Sequence, residues 1–140
     1  MAIRVLIVDD SSAVRLIVRR CLEQAEIRIG EIWEAGNGEE ALGVLAERTA
    51  DLILSDINMP KMDGIQLLSA LKQDRRWASI PVVMLTTEAA SQLVVGVIRM
   101  GAAGYIKKPF TPAQIQDKIA PLIKAGAQAS MQNEVPMPQD

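Results

Sequence analysis

The sequence predicts a single α/β domain, a five-stranded parallel sheet doubly wound with five helices on its two faces. Three observations carry that expectation. Short aliphatic runs, almost without polar interruption, alternate with longer segments whose apolar residues recur at helical spacing. A strand covered on both faces must be apolar on both, so continuous runs mark a buried parallel sheet. The connections are short, and 140 residues with 49% apolar and 23% charged content suit one soluble domain.

Each element has its own signal. Residues 3–8 (Ile-Arg-Val-Leu-Ile-Val) form a β-branched run of strand length. Val14, Ile17, Val18, Cys21, Leu22 and Ala25 then share one helical face, with Arg15, Arg19 and Arg20 on the other, and Ser11 or Ser12 caps the start. Residues 31–35 are a second, more charged strand. Asn37 caps a helix carrying Ala41, Leu42, Leu45 and Ala46. Residues 51–56 are the third strand, and Asp63-Gly64 opens a helix holding Ile65, Leu67, Leu68 and Leu71. Residues 81–86 are the fourth strand, with Pro81 at the tolerated first position. A helix over 89–100 and a strand over 103–107 follow. Thr111-Pro112, a cap followed by proline at the first helical position, starts a last helix with Ile115, Ile119, Leu122 and Ile123 buried. Pro121 removes a backbone hydrogen bond there and is expected to kink or loosen the helix. Periodicity stops near 124, so residues 1–124 are read as the domain and 125–140 as a disordered tail.

Composition removes many chemistries. The chain has no histidine and one cysteine, Cys21, which excludes Ser-His-Asp and Cys-His machinery, histidine-containing zinc sites, Cys₄ sites and an intrachain disulfide. The net charge is −2, the Lys and Arg residues form no basic stripe, and aromatics are only 3%, which argues against nucleic acid as a direct partner. No apolar stretch approaches the roughly 20 residues that cross a bilayer, and the N-terminus lacks a signal pattern. A cytoplasmic protein without a membrane partner is the expectation.

In an open parallel sheet, ligands bind beyond the carboxyl ends of the strands. Those ends carry Asp9 and Asp10 after the first strand, Asp56 at the end of the third, Thr86 and Thr87 at the fourth, and Lys108-Pro109 past the fifth. Taken singly, Asp9 and Asp10 could form a turn and cap, Asp56 a turn start, and Lys108 a solvated surface group. Together they are three carboxylates, a hydroxyl and an ammonium along one edge. Such a carboxylate cluster favours a cation, and all-oxygen ligands favour Mg²⁺ or a similar hard ion. Metal, ammonium and hydroxyl suit a phosphoryl group, with Asp56, central in the row, as its acceptor.

At this point the sequence resembles the receiver domain of two-component response regulators, closest in organisation to the stand-alone chemotaxis-type regulator. The resemblance covers roughly residues 3–124. It is carried by Val8-Asp9-Asp10-Ser11, by Asp56-Ile57-Asn58-Met59-Pro60-Lys61-Met62-Asp63-Gly64, by Met84-Leu85-Thr86-Thr87 and by Gly104-Tyr105-Ile106-Lys107-Lys108-Pro109-Phe110. It implies a flavodoxin-like fold with strand order 2-1-3-4-5. It implies Asp56 as phospho-acceptor from a phosphohistidine of a sensor histidine kinase or phosphotransfer protein. It further implies Mg²⁺ held by Asp10, Asp56 and the Asn58 carbonyl, with Asp9 acting through water. Lys108 would pair with the acceptor, Thr86 would turn inward to the phosphoryl group, and Tyr105 would change rotamer with it. Helix 4, strand 5 and helix 5 would then be the surface for a downstream protein or a second copy. Thr87 is bulkier than the family's usual residue and would narrow access. The missing histidine fits, because the partner brings it.

Helix 4 reads as a core face of Ala89, Leu93, Gly96, Val97 and Met100, with Val94, Val95 and Ile98 turned elsewhere, either packed beneath a loop or free for a partner. Two other functions compete. A Mg²⁺-dependent phosphatase acting on foreign substrates would use an acid-base aspartate two residues after its nucleophile, where this chain has Asn58. Nucleotide binding is hinted at by Gly36-Asn37-Gly38, yet neither standard glycine-loop pattern is completed.

Overall fold

The computed structural model describes residues 2–87 and 91–134 of the chain. Ten elements alternate: β1 (Ile3–Val8), α1 (Ser12–Gln24), β2 (Ile29–Ala35), α2 (Gly38–Glu47), β3 (Leu52–Asp56), α3 (Gly64–Lys72), β4 (Val82–Thr86), α4 (Ser91–Arg99), β5 (Gly104–Lys107) and α5 (Pro112–Glu134). The strands form one parallel sheet in the order β2-β1-β3-β4-β5, as the resemblance implied.

Successive residues of the inner strands feed two separate cores. Val5 and Ile7, Leu52 and Leu54, and Val83 and Leu85 pack with Val18, Cys21 and Leu22 of α1 and Ile115 and Ile119 of α5. Leu6 and Val8, Ile53, and Val82 and Met84 face the other way, onto Ala41 and Leu45 of α2, Leu67, Leu68 and Leu71 of α3 and Val97 of α4. This two-sided burial explains why β1, β3 and β4 read as unbroken apolar runs. β2 lies at the sheet edge and only Ala35 of it is buried, which explains its charges and its start two residues earlier than the sequence suggested.

The caps agree with the sequence. The Ser11 hydroxyl accepts from the Val14 amide (3.2 Å), and Asn37 accepts from Glu40 (2.9 Å). Asp63 and Gln66 exchange both bonds of a capping box (2.8 and 3.0 Å), and Thr111 and Gln114 do the same at the start of α5.

Three expectations need correction. Ile17 is 51% exposed, whereas Val14, Val18, Cys21 and Leu22 pack into the core, so the buried stripe of α1 is narrower than the sequence suggested. Ala46 is exposed too, while Val44 packs against the core instead. On α4, Val97 is buried and Leu93 half-buried, but Gly96 and Met100 are exposed. The helix ends at Arg99, with the Met100 amide still bonded to the Gly96 carbonyl (3.1 Å), and Gly101 takes a φ of +110° that turns the chain toward β5. Ala89 lies outside the described residues. α5 is one element over Pro112–Glu134, and Pro121 within it is exposed. Ala125, Ala127 and Ala129 in its later part have high helix propensity without an apolar period. Residues 135–140 lie outside the described residues.

Candidate functional site

The sheet order reverses between β1 and β3: the chain leaves β1 outward to β2, then returns to β3 on the other side. The helices that follow β1 and β3 therefore diverge onto opposite faces and open a crevice above those two strand ends. Register puts the chemistry there. Val8 pairs with Ser55, Asp56 with Leu85, and Thr86 with Lys107, so Asp9, Asp56, Thr86 and Lys108 follow one another along the edge. The Lys108 amide donates to the Thr86 carbonyl (2.7 Å), continuing the β4–β5 ladder one residue beyond the strand; the Lys108–Pro109 bond is cis.

Asp9 is 1% exposed and fully engaged. Its Oδ1 accepts from the Ser11 amide (2.9 Å), which is the turn role read from the sequence, and its Oδ2 accepts from Lys108 Nζ (2.9 Å). Lys108 Nζ also pairs with Asp56 Oδ1 at 3.2 Å, and that oxygen accepts from the Ile57 amide (2.9 Å). Asp9 thus closes the turn with one oxygen and pairs with Lys108 through the other. Burial pushes the Asp56 carboxyl above its ordinary range, helped by the charge of Asp9 and opposed by Lys108 and the Ile57 N–H. Burial pulls the Lys108 ammonium down, but the two carboxylates outweigh it and leave it raised.

Carboxylate oxygens of Asp9, Asp10 and Asp56 all lie within 4.8 Å of one another. Asp10 is exposed, which leaves the cluster open on one side, and Asn58 is exposed beside it on the loop after β3. An all-oxygen, partly open cluster fits a hard cation that keeps some of its water, as Mg²⁺ does. Thr86 is buried (3% exposed) and Thr87 exposed. Tyr105 is half-buried under Lys118 Nζ, 5.5 Å from its ring centroid.

Two features escaped the sequence. Gly64 opens α3 so close to the acceptor strand that a Cβ there would stand 2.1 Å from the Asp56 carbonyl oxygen. The glycine amide meanwhile donates to the Ile57 carbonyl (2.8 Å), closing the loop that carries Asn58. Asp63-Gly64 marked a helix start, but nothing in its spacing signals that approach. Arg15, read as a solvent-face residue, donates through Nη1 to the Asp9 carbonyl. Gly38 has a packing role as well: its Cβ would collide with Met62, whose carbonyl accepts the Gly38 amide (2.9 Å). That accounts for one glycine of the Gly36-Asn37-Gly38 hint.

The response regulator receiver domain family matches residues 5–120. The chain is 36% identical over 119 residues to chemotaxis protein CheY1 of Helicobacter pylori, covering 83% of this chain and 93% of that protein. It is 32% identical over 127 residues to a CheY homolog of Campylobacter jejuni, covering 89% and 95%. Among solved structures it superimposes on the chemotaxis response regulator CheY4 of Vibrio cholerae with a TM-score of 0.78 at 32% identity, over 87% of this chain and 99% of that one. Sheet order, strand-end residues and these matches converge: the chain belongs to the response regulator receiver family, CheY-like phospho-accepting modules of two-component and chemotaxis signalling.

Proposed function

We propose that Asp56 accepts a phosphoryl group from a phosphohistidine on a sensor kinase or phosphotransfer protein in the cytoplasm. The observation that carries this is the Asp56 carboxylate, largely buried at the β3 end and held on one side by Lys108. Lys108 and the Ile57 amide both engage Oδ1, so Oδ2 would be the attacking atom. The new P–O bond forms as the P–N bond of the phosphohistidine breaks, and the released imidazole keeps its electron pair. Hydrolysis by water later returns the carboxylate and inorganic phosphate. A carboxylate made more basic by burial is the stronger nucleophile once ionised. Lys108 would follow the charge from the carboxylate to the phosphoryl oxygens, and the Thr86 hydroxyl would donate to one of them. Asp10, Asp56 and the Asn58 carbonyl would hold Mg²⁺, with Asp9 acting through water; when bound, the ion supplies neutralisation of the phosphoryl charge.

The output would be a rearrangement of Thr86 and Tyr105 that changes the α4–β5–α5 surface for a downstream protein or a second copy. That surface presents Val95, Ile98 and Met100, all at least 36% exposed, beside Arg99, Lys107 and Lys118. A phosphatase acting on foreign substrates finds no support, because Asn58 stands where it would need an acid-base carboxylate. Incubation with acetyl phosphate and Mg²⁺ followed by intact-mass measurement tests the reading. One acid-stable, hydroxylamine-labile phosphate is expected in the wild type and none in Asp56→Asn. No adduct within seconds of mixing, and none trapped as the beryllofluoride complex, would refute it.

A further inference from the structure

Asp10 is exposed, and among the described residues none donates to its carboxylate, so its direction depends on the backbone that carries it. The peptide joining Asp9 to Asp10 is planar, and fixing its carbonyl oxygen fixes the plane from which Asp10 departs. That oxygen accepts from Arg15 Nη1. Arg15 is itself anchored: its Nε donates to Glu34 Oε1 (2.9 Å), and the other Glu34 oxygen takes Arg19 Nη2 (2.7 Å). Glu34 precedes Ala35, whose carbonyl accepts the Asp9 amide (3.0 Å). A closed circuit thus runs from Asp9 through β2, Glu34 and Arg15 back to Asp9. Arg19 foremost, and Arg15 with it, hold the Glu34 carboxyl below its ordinary range despite partial burial, which keeps the anchor charged.

We infer that Arg15, braced by Glu34, is a positioning residue that aims the Asp9–Asp10 turn and so sets how tightly the acidic cluster takes Mg²⁺. The inference rests on the reading of Asp9, Asp10 and Asp56 as the Mg²⁺ site. Its sign separates it from simple electrostatics. A guanidinium beside a cation site repels the cation, so as a charge alone Arg15 weakens Mg²⁺ binding and its removal tightens it. As a positioning group it strengthens binding, and its removal weakens it.

Isothermal titration of Mg²⁺ into the full chain reads this directly. Arg15→Met, which keeps the aliphatic stem, is expected to bind Mg²⁺ about 10-fold more weakly, the usual scale for a group that orients a metal ligand. Arg15→Lys, which can reach the carbonyl or Glu34 but not both, should recover part of that loss. The acetyl phosphate rate extrapolated to saturating Mg²⁺ should stay within about two-fold of wild type, since Arg15 acts through the ion's ligands alone. Unchanged or tighter Mg²⁺ binding in Arg15→Met overturns the inference while leaving the site reading intact. A wild-type chain that takes up no Mg²⁺ overturns both. Should Arg15→Met fail to fold, Glu34→Met removes both acceptor oxygens of the anchor and keeps the guanidinium: weaker Mg²⁺ binding there supports the inference, and unchanged binding overturns it.

Discussion

Asp56 is pulled in opposite directions. Burial and the charge of Asp9 raise its carboxyl, Lys108 and the Ile57 amide lower it, and the raising wins. A carboxyl whose folded pKa lies above its unfolded one opposes folding when ionised. That cost is absent below the unfolded aspartate value of about 4 and grows as pH rises toward the folded one. Asp56→Asn removes it, so in Mg²⁺-free buffer at neutral pH the variant should be more stable than wild type by on the order of 1 kcal/mol. Urea denaturation at pH 7 and again near pH 4 checks this, and the gain should shrink at the lower pH. Lys108 behaves inversely. Its raised ammonium stabilises the fold across neutral pH, and that contribution is lost only as pH rises through its alkaline titration. Lys108→Met strands Asp9 and Asp56 together and should cost roughly 2 kcal/mol. The double variant Asp56→Asn/Lys108→Met should cost less than the sum of the single changes, and strict additivity in that cycle would contradict the coupling.

At the scale of elements, glycines that look alike in the sequence have opposite roles. Gly64 starts α3 where a Cβ would overlap the Asp56 carbonyl and sit 2.9 Å from Ile57 Cα, both backbone atoms that cannot swing aside. Gly64→Ala should therefore cost about 3 kcal/mol or more and shift the acceptor loop. Gly43, exposed inside α2, meets nothing within 4 Å, and Gly43→Ala should stabilise by about 0.5–1 kcal/mol. Thermal melts of both variants check the pair, and equal effects would contradict it. The contrast marks where sequence reading stops. Unbroken apolar runs and caps are local signals, so β1, β3, β4 and the starts of α1, α2, α3 and α5 were legible from Ile3, Ser11, Asn37, Asp63 and Thr111 outward. Edge exposure, the Gly64 approach and the reach of Arg15 to Asp9 depend on what tertiary packing brings near, and spacing does not encode that. On α4, Val97 and Leu93 followed the expected face, whereas Val95 and Ile98 stand 46% and 43% exposed. Val95→Ser/Ile98→Ser should accordingly change stability by less than about 1 kcal/mol and leave phosphorylation from acetyl phosphate unaltered. Loss of folding would return those side chains to the core.

Across the whole molecule, the site was legible because topology, not proximity in sequence, assembles it. Once five parallel strands were inferred, residues 47 positions apart, Asp9 and Asp56, had to share one edge, and Lys108, 99 positions from Asp9, joined them. The same assembly makes the proposed cation site a property of the folded chain alone, since the unfolded chain scatters the three carboxylates. Mg²⁺ should then stabilise by RT ln(1 + [Mg²⁺]/Kd), roughly 1.4 kcal/mol at tenfold excess over Kd and about 2.7 at a hundredfold. Melting temperature should climb with the logarithm of free Mg²⁺ and fall back when EDTA is added. Asp56→Asn supplies the internal control. It begins higher in Mg²⁺-free buffer, because the buried charge is gone, and climbs less, because one anionic ligand is gone with it. The gap between the wild-type and variant curves must narrow as Mg²⁺ rises, and the curves cross where the variant's Kd exceeds that of the wild type by more than about 5-fold, the factor equivalent to 1 kcal/mol. Parallel curves would mean that the ion stabilises the chain somewhere other than at Asp56.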